Sequence, residues 1–203
     1  YDNVTFPLPD NFYDDYKGRQ AAAVQDMTIA KTMIMGYDLK MFDSDEAMNK
    51  EGSIKRMNAA QRTAFGAYYK NIYNNFKSLN LSGNALTEWK YQRYMKDYLS
   101  TAASLDRNIG RTLDYLDRNN LAGNTIVIYV SDQGFYMGEH GWFDKRFMYE
   151  ESFRTPMMIR YPGVIQPGTK LNDYVMNLDI APTCLDAAGV AIPKAIQGKS
   201  FLP

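Results

Sequence analysis

The sequence predicts an α/β domain, because a long amphipathic helix is followed at once by a short apolar strand. Apolar residues recur every three or four positions from Glu88 to Asn119, which is typical of a helix with one buried face. The segment Thr125 to Ser131 (TIVIYVS) is β-branched and apolar on both faces, which is typical of a strand buried in a parallel sheet. A second apolar run, Pro156 to Tyr161, predicts another strand, and 45% of the 203 residues are hydrophobic, enough for a real core.

The other elements follow from periodicity and from turn residues. Residues 1 to 20 combine prolines, Asp, Asn and aromatics without a clear period, which indicates an ordered loop. Apolar residues at helical spacing predict a helix from Met57 to Phe76. Tyr174 to Met176 is a candidate third strand, and Leu178 to Ala188 predicts a short helix that Gly189 stops.

The long helix has recognisable ends. Thr87 is placed to cap its N-terminus, and the segment Leu121 to Asn124 carries the glycine that commonly ends a helix. A helix followed by a tight turn and a strand is half of an α/β unit.

Charge and composition exclude several classes of partner. The 23 basic and 23 acidic residues balance, which removes the electrostatic case for nucleic acid or an anionic membrane as the main partner.

No apolar run approaches the roughly 20 residues that a transmembrane helix needs. Cys184 is the single cysteine, so the chain cannot form an internal disulfide. The chain starts at Tyr1 without an initiator Met, and we expect it to be part of a longer protein.

The segment Ser131 to Tyr149 (SDQGFYMGEHGWFDKRFMY) carries the candidate chemistry. Asp132 and Gln133 stand where the strand TIVIYVS ends, and ligands of open α/β sheets bind at the carboxyl ends of strands. A carboxylate beside an amide offers two oxygen ligands, which suits a hard cation such as Ca²⁺. Gly134 then lets the chain turn away sharply.

The glycine-rich loop that follows presents His140, the one histidine of the chain, and Lys145 five residues later. A histidine in a polar loop is a candidate proton donor near neutral pH. Simpler interpretations stay open at this point. An Asp after a strand is often a cap, a lone His is often structural, and Trp142 with its aromatic neighbours could pack the loop or stack on a sugar.

These motifs together resemble a known family. The run SDQGFYMGEHGWFDK, followed by YEESFRTPMMIRYPG and NLDIAPTCLDAAGV, resembles the C-terminal half of the catalytic domain of the type I, formylglycine-dependent sulfatases. The resemblance is specific because several spaced elements agree in order over about residues 90 to 203. Within the family the chain looks most like sulfatases of glycosaminoglycan sugars, of the N-acetylglucosamine-6-sulfatase or the iduronate-2-sulfatase kind.

The resemblance implies a fold and an organisation. We expect an alkaline-phosphatase-like α/β sandwich with a mostly parallel central sheet, present here as a partial domain. Residues 1 to 203 would be the C-terminal portion of the catalytic domain. Residues 1 to 50 would form a loop-rich segment on the substrate side, and residues 51 to 203 would carry the helices, the metal-site strand and the strands after it.

The resemblance also implies roles for particular residues. Asp132 and Gln133 match ligands of a Ca²⁺ ion, Lys145 matches the lysine that contacts the sulfate, and His140 matches a histidine near the leaving group. Trp142 and Arg146 are candidates for contact with the sugar of a sulfated carbohydrate.

Two departures limit what this chain does alone. The family's nucleophile, a Cys in C-x-P-S-R that becomes formylglycine, is absent, and Cys184 is interpreted as a small core residue. The family's N-terminal pair of aspartate ligands is also absent, since Asp14 and Asp15 stand in the wrong context. We therefore expect the missing N-terminal half as partner, and expect residues 1 to 203 alone to be inactive.

Two alternatives remain beside sulfate ester hydrolysis by the whole protein. A phosphatase, phosphodiesterase or phosphonate hydrolase of the same superfold is one, although di-zinc members need several histidines. A non-catalytic carbohydrate-binding relative is the other. The family's polysaccharide substrates imply a periplasmic or extracellular location.

Overall fold

The computed structural model describes residues 1 to 202, which divide into two compact units. Unit 1 contains Tyr1–Asn119 and Gln133–Thr155, and unit 2 contains Asn120–Asp132 and the residues from Pro156 onward. In chain order, the helices are α1 Gln20–Ala23, α2 Asp45–Lys50, α3 Gly52–Lys55, α4 Ala59–Leu79, α5 Gly83–Arg118, α6 Glu150–Phe153 and α7 Ile180–Ala187. The strands are β1 Val127–Val130, β2 Tyr136–Met137, β3 Phe143–Asp144 and β4 Met157–Arg160.

Helices α4 and α5 are the longest elements of unit 1. Helix α4 begins with a capping box, in which Asn58 and Gln61 satisfy each other's backbone N–H groups. It ends at Asn80, whose positive φ of 46° is tolerated by asparagine. Helix α5 begins at Gly83, so the expected start at Thr87 is wrong. The Thr87 hydroxyl instead donates to the Gly83 carbonyl inside the helix.

The apolar face of α5 is buried only near its N-terminus. Tyr91 and Tyr94 are buried, whereas Leu105 is 51% and Tyr115 is 60% exposed. Tyr91 belongs to the larger core cluster of unit 1, in which methionines, Ile29, Leu39 and Phe12 surround it. A second cluster consists of Ala22, Met27, Tyr136 and Trp142. These two clusters support the hairpin of β2 and β3.

Unit 2 contains a two-stranded sheet of β1 and β4. The pairing is antiparallel, with Ile128 opposite Ile159 and Val130 opposite Met157. The sequence predicts parallel neighbours for β1. Among residues 1 to 202, β1 pairs only with β4, which runs antiparallel to it. Burial on both faces is also incomplete, because Tyr129 is 40% and Met158 61% exposed. An apolar sequence on both faces gives no direction to its partner strand, which is why the sequence could not decide this.

The C-terminal part of unit 2 is held by Asp179. Its carboxylate accepts hydrogen bonds from the backbone N–H of Met176 (2.9 Å) and of Lys199 (2.9 Å). Helix α7 carries Pro182 in its first turn, and Gly189 follows with φ of 68°, as expected. Tyr174 to Met176 is not a strand, and the Tyr174 side chain is fully exposed.

Candidate active site

Asp132 and Gln133 lie directly after β1, where the sequence predicts a cation site. Asp132 is exposed, and its backbone carbonyl accepts a hydrogen bond of 2.9 Å from the side-chain amide of Asn177. Gln133 is half-buried and is the first residue of the next segment of unit 1. The carboxylate of Asp132 is thus open to solvent at the end of a strand.

Gly134 is required by a close approach of two backbone segments. Its N–H donates to the Ser152 carbonyl at 2.7 Å, and the N–H of Phe135 donates to the Glu151 carbonyl at 2.7 Å. A Cβ atom at position 134 would lie 2.1 Å from the Glu151 oxygen. Any other residue here would push the strand that carries Tyr136 away from helix α6.

The glycine-rich loop forms a short β-hairpin. Strand β2 pairs with β3 so that Tyr136 faces Asp144 and Met137 faces Phe143. The turn between them has positive φ at Gly138 (108°), His140 (58°) and Gly141 (69°). A positive φ at a histidine is uncommon and costs of order 1 kcal/mol or more, so surrounding contacts must hold it.

His140 lies in a polar pocket inside unit 1, and its side chain is only 14% exposed. Its Nδ1 lies 2.6 Å from Oδ2 of Asp14. Its Nε2 lies 3.3 Å from the side-chain nitrogen of Asn11 and 3.7 Å from Oε1 of Glu151. The hydroxyl of Tyr16 donates to the His140 carbonyl at 2.5 Å. The histidine is therefore held by its backbone and by both ring nitrogens.

Asp14 holds its charge in this pocket. Its Oδ1 pairs with the guanidinium of Arg19 and accepts a 2.9 Å hydrogen bond from the Tyr16 backbone N–H. Burial alone raises the pKa of Asp14, but the hydrogen bonds from Arg19 and His140 outweigh burial and lower this pKa to about 2. Asp14 is therefore a carboxylate at every pH at which the protein is expected to work.

The aromatic residues of the loop form the floor beneath His140. Trp142 has no exposed surface and stacks on Tyr16 (centroids 5.5 Å apart) and on Tyr149 (5.7 Å). The His140 ring lies 5.3 Å from the Trp142 ring and 5.0 Å from the Tyr149 ring. The structure does not support the expected contact of Trp142 with a sugar. The Trp142 side chain is fully buried and packs the loop instead.

Lys145 and Arg146 directly follow β3 of the hairpin, and both are exposed. The Lys145 carbonyl accepts a hydrogen bond from the Ser152 hydroxyl, which fixes its backbone. Arg146 pairs with the Asp144 carboxylate at 3.0 Å, and its side chain is 72% exposed. Lys145 is thus available for an anionic ligand, whereas Arg146 already has a carboxylate partner.

The donor atoms at the end of β1 suit a hard cation in kind but not in number. Asp132 and Gln133 offer oxygen atoms, which Ca²⁺ prefers, but Ca²⁺ takes six to eight oxygens. Among residues 1 to 202 no group of three or more His, Cys, Asp or Glu side chains is arranged to hold a metal ion. Further ligands would have to come from water, substrate or other protein residues.

Asn11, Asp14 and Tyr16 are the site residues that sequence reasoning missed. Asp14 is 126 positions from His140, and no local pattern links the two. The adjacent residues Asp14 and Asp15 are noticeable in the sequence, but only because they resemble a pair of metal ligands in the wrong context.

Comparisons with known proteins find relatives along the whole chain. Residues 138–203 match the family model for N-sulphoglucosamine sulphohydrolase, C-terminal. The whole chain is 46% identical to N-acetylglucosamine-6-O-sulfatase of Bacteroides thetaiotaomicron and spans 38% of that protein's length. An arylsulfatase of Clostridium perfringens is 37% identical over 63% of the chain, which spans 27% of it.

Two solved structures are informative. One is a protein in complex with its substrate D-glucosamine-2-N,6-O-disulfate. It superposes on the whole chain with a TM-score of 0.92 at 46% identity, and the chain spans 42% of it. The other is a phosphonate monoester hydrolase from Silicibacter pomeroyi, which has a TM-score of 0.55 at 30% identity. The match covers 60% of this chain and 23% of the hydrolase.

These similarities first establish the fold class. The chain is part of an alkaline-phosphatase-like α/β domain, as the sequence predicts. Among the families with that fold, the chain is similar to the sulfatases. It spans about two fifths of the length of the relatives that match it over its whole length.

Proposed function

We propose that the protein containing this chain hydrolyses sulfate esters of amino sugars, with 6-O-sulfated glucosamine units of glycosaminoglycans as the substrate class. One observation carries the proposal. The whole chain matches, at 46% identity and a TM-score of 0.92, a protein solved with D-glucosamine-2-N,6-O-disulfate as its substrate. A match that covers the hairpin, the N-terminal loop and helix α5 together favours a shared substrate class over a shared fold alone.

Lys145 is proposed to bind the sulfate group. It is a solvent-facing cation on a hairpin whose backbone is fixed at Ser152 and Met27, so the charge is placed without being neutralised by a carboxylate of its own. Lysine acts as a point charge toward such oxyanions and stabilises charge that develops on them.

Asp132 and Gln133 are proposed ligands of Ca²⁺, together with residues of the rest of the protein. A bound Ca²⁺ would supply positive charge against the sulfate oxygens. The nucleophile, expected as formylglycine, is also proposed to come from the rest of the catalytic domain, because no C-x-P-S-R motif occurs in the 203 residues. Residues 1 to 203 alone are therefore expected to show no turnover.

His140 is proposed to deliver a proton to the departing sugar oxygen. Its Nδ1 faces the Asp14 carboxylate, so Nε2 is the nitrogen that would serve the leaving group. Transfer of a proton to a poor leaving group typically contributes about 10²- to 10⁴-fold in rate. Arg146, which is exposed beside Asp144, is proposed to contact the sugar.

We propose that the protein acts outside the cytoplasm, in the periplasm or the extracellular space, because its proposed substrates are glycosaminoglycans. Among residues 1 to 202 no helix is long and apolar enough to cross a membrane.

A phosphonate or phosphate ester hydrolase is the second candidate, because the phosphonate monoester hydrolase shares 30% identity over 60% of the chain. The full-length protein should be assayed on glucosamine-6-sulfate, on an aryl sulfate, and on the matching phosphate and phosphonate esters. We expect a kcat/KM for the sugar sulfate at least 100-fold above that for the other esters.

A preference for the phosphonate ester would reject the sulfatase proposal. No activity on any ester, in a protein whose peptide mass spectrum lacks formylglycine, would favour the non-catalytic alternative.

A further inference from the structure

The acidic pair Asp14 and Asp15 has no part in the function proposed above, yet its two members differ sharply. The Asp14 side chain is 9% exposed, whereas Asp15 is on the surface. Asp15 only accepts a hydrogen bond from the Lys17 backbone N–H, at 2.9 Å. Burial of one carboxylate of such a pair needs a partner inside the protein, since an unpaired buried charge is costly.

Each oxygen of Asp14 has its own partner. Oδ1 takes the guanidinium of Arg19 and the Tyr16 backbone N–H, and Oδ2 takes Nδ1 of His140. A carboxylate only accepts hydrogen bonds, so Nδ1 must carry the proton of this contact. Asp14 therefore determines both the tautomer of His140 and the direction in which its Nε2 points.

The turn that carries His140 depends on the N-terminal segment as a whole. Besides the Asp14 contact, Tyr16 binds the His140 carbonyl, and the Ile29 backbone N–H donates to the Gly141 carbonyl at 2.9 Å. The backbone N–H of Phe143 donates to the Met27 carbonyl at 2.9 Å. Among these contacts, the Asp14 carboxylate is the one that acts on the His140 ring.

We propose that Asp14 is a positioning residue, which holds the His140 ring through Nδ1 and thereby fixes the hairpin turn from Gly138 to Lys145. The inference deepens the proposed function and rests on it for its kinetic test. Arg19 supports the arrangement by keeping Asp14 in place from the opposite side.

The kinetic test compares Asp14→Asn, Asp15→Asn, His140→Ala and the double variant Asp14→Asn/His140→Ala in the full-length protein. Asn keeps the size of Asp14 but offers no carboxylate to Nδ1–H. Asp14→Asn should lower kcat/KM on the sugar sulfate by about 10- to 100-fold, the range expected when a reacting group is misplaced by about an ångström. The matched change Asp15→Asn should stay within twofold of the unaltered protein.

Action through His140 has two signatures. The double variant should be no worse than His140→Ala, since two residues that act as a unit are not additive. The ratio of the losses on sugar and aryl sulfates should also be the same for Asp14→Asn as for His140→Ala. Losses that multiply, a different ratio, or activity of Asp14→Asn within twofold of the unaltered protein would overturn the proposal.

Hydrogen exchange separates this inference from the proposed function. The amides of residues 138 to 145 should exchange at least tenfold faster in Asp14→Asn and unchanged in Asp15→Asn. If the unaltered protein hydrolyses no sulfate ester, the proposed function fails, and the exchange result still decides whether Asp14 holds the turn. Unchanged exchange in Asp14→Asn rejects that role.

Discussion

His140 lies in the turn of the hairpin and Lys145 directly after its second strand, and the surroundings of these two residues are opposite. His140 is enclosed by Asp14, Asn11, Glu151 and the ring of Trp142. Lys145 is exposed and is fixed only through its backbone. The difference teaches that residues of this chain enclose the His140 ring, whereas Lys145, which is proposed to bind the sulfate, is left open to solvent.

The largest difference between the enclosed and the exposed residues of this region is expected in their contribution to the free energy of unfolding. Trp142→Ala removes a fully buried ring and should lower the free energy of unfolding by about 3–5 kcal/mol. The exposed Met148, which follows the hairpin and is 83% accessible, is the control, and Met148→Ala should stay within about 0.5 kcal/mol.

Denaturant unfolding of the full-length protein measures both changes, and Trp142→Phe, which keeps an aromatic ring, should lose less than Trp142→Ala. Equal losses at positions 142 and 148 would mean that the buried and the exposed residue do not differ in packing.

The proposed proton-donor role of His140 predicts the next largest effect. His140→Ala should reduce kcat/KM on a sugar sulfate by about 10²-fold or more, because the sugar oxygen leaves poorly without a proton. Aryl sulfates with acidic phenols should lose far less. Steady-state kinetics on both substrates is the measurement, and equal losses on the two would exclude general-acid catalysis by this residue.

Lys145→Ala should change binding without changing stability. Loss of the cation should raise KM and the inhibition constant of inorganic sulfate together, since substrate and product share the sulfate group. The melting temperature should remain within about 2 °C, because the side chain is exposed. Lys170→Ala, an exposed lysine in unit 2, is the matched control. Product inhibition that is unaffected by Lys145→Ala would remove the proposed sulfate contact.

The smallest effect is a pH dependence of stability around Asp14. The pKa of Asp14 in the folded protein, about 2, lies below the ordinary value of 3.8. A depressed carboxylate pKa contributes stability that is fully present above pH 3.8 and is lost as the pH falls toward 2. Unfolding free energies measured from pH 5 to pH 2 should therefore fall less in Asp14→Asn than in Asp15→Asn. Parallel curves for the two variants would show that the Asp14 ion pair adds no stability.

The sequence predicts well what depends on local periodicity. The helical spacing from Met57 to Phe76 and from Glu88 to Asn119 corresponds to α4 and α5, and TIVIYVS corresponds to β1. A special role of Gly134 was also predictable, but the expected reason was a sharp turn, whereas the structure shows a close approach to the Glu151 carbonyl.

What depends on distant residues could not be predicted. The direction of the strand that pairs with β1 is antiparallel, and nothing in an apolar run specifies it. The burial of Trp142 and the partner of His140 are set by the N-terminal loop, more than 100 residues away. The roles of Asp132, Gln133, Lys145 and Arg146 remain predictions until they are tested.

The contact of Asp14 with His140 also has a consequence for biosynthesis. The two residues are separated by 126 positions, so the ribosome must add all of them before the pocket can close. At roughly 5–20 residues per second, this takes on the order of 6–25 s. During that time the N-terminal loop and the early part of helix α5 emerge without the hairpin that covers them. The nascent chain is thus exposed to chaperones and proteases until His140 has been synthesised.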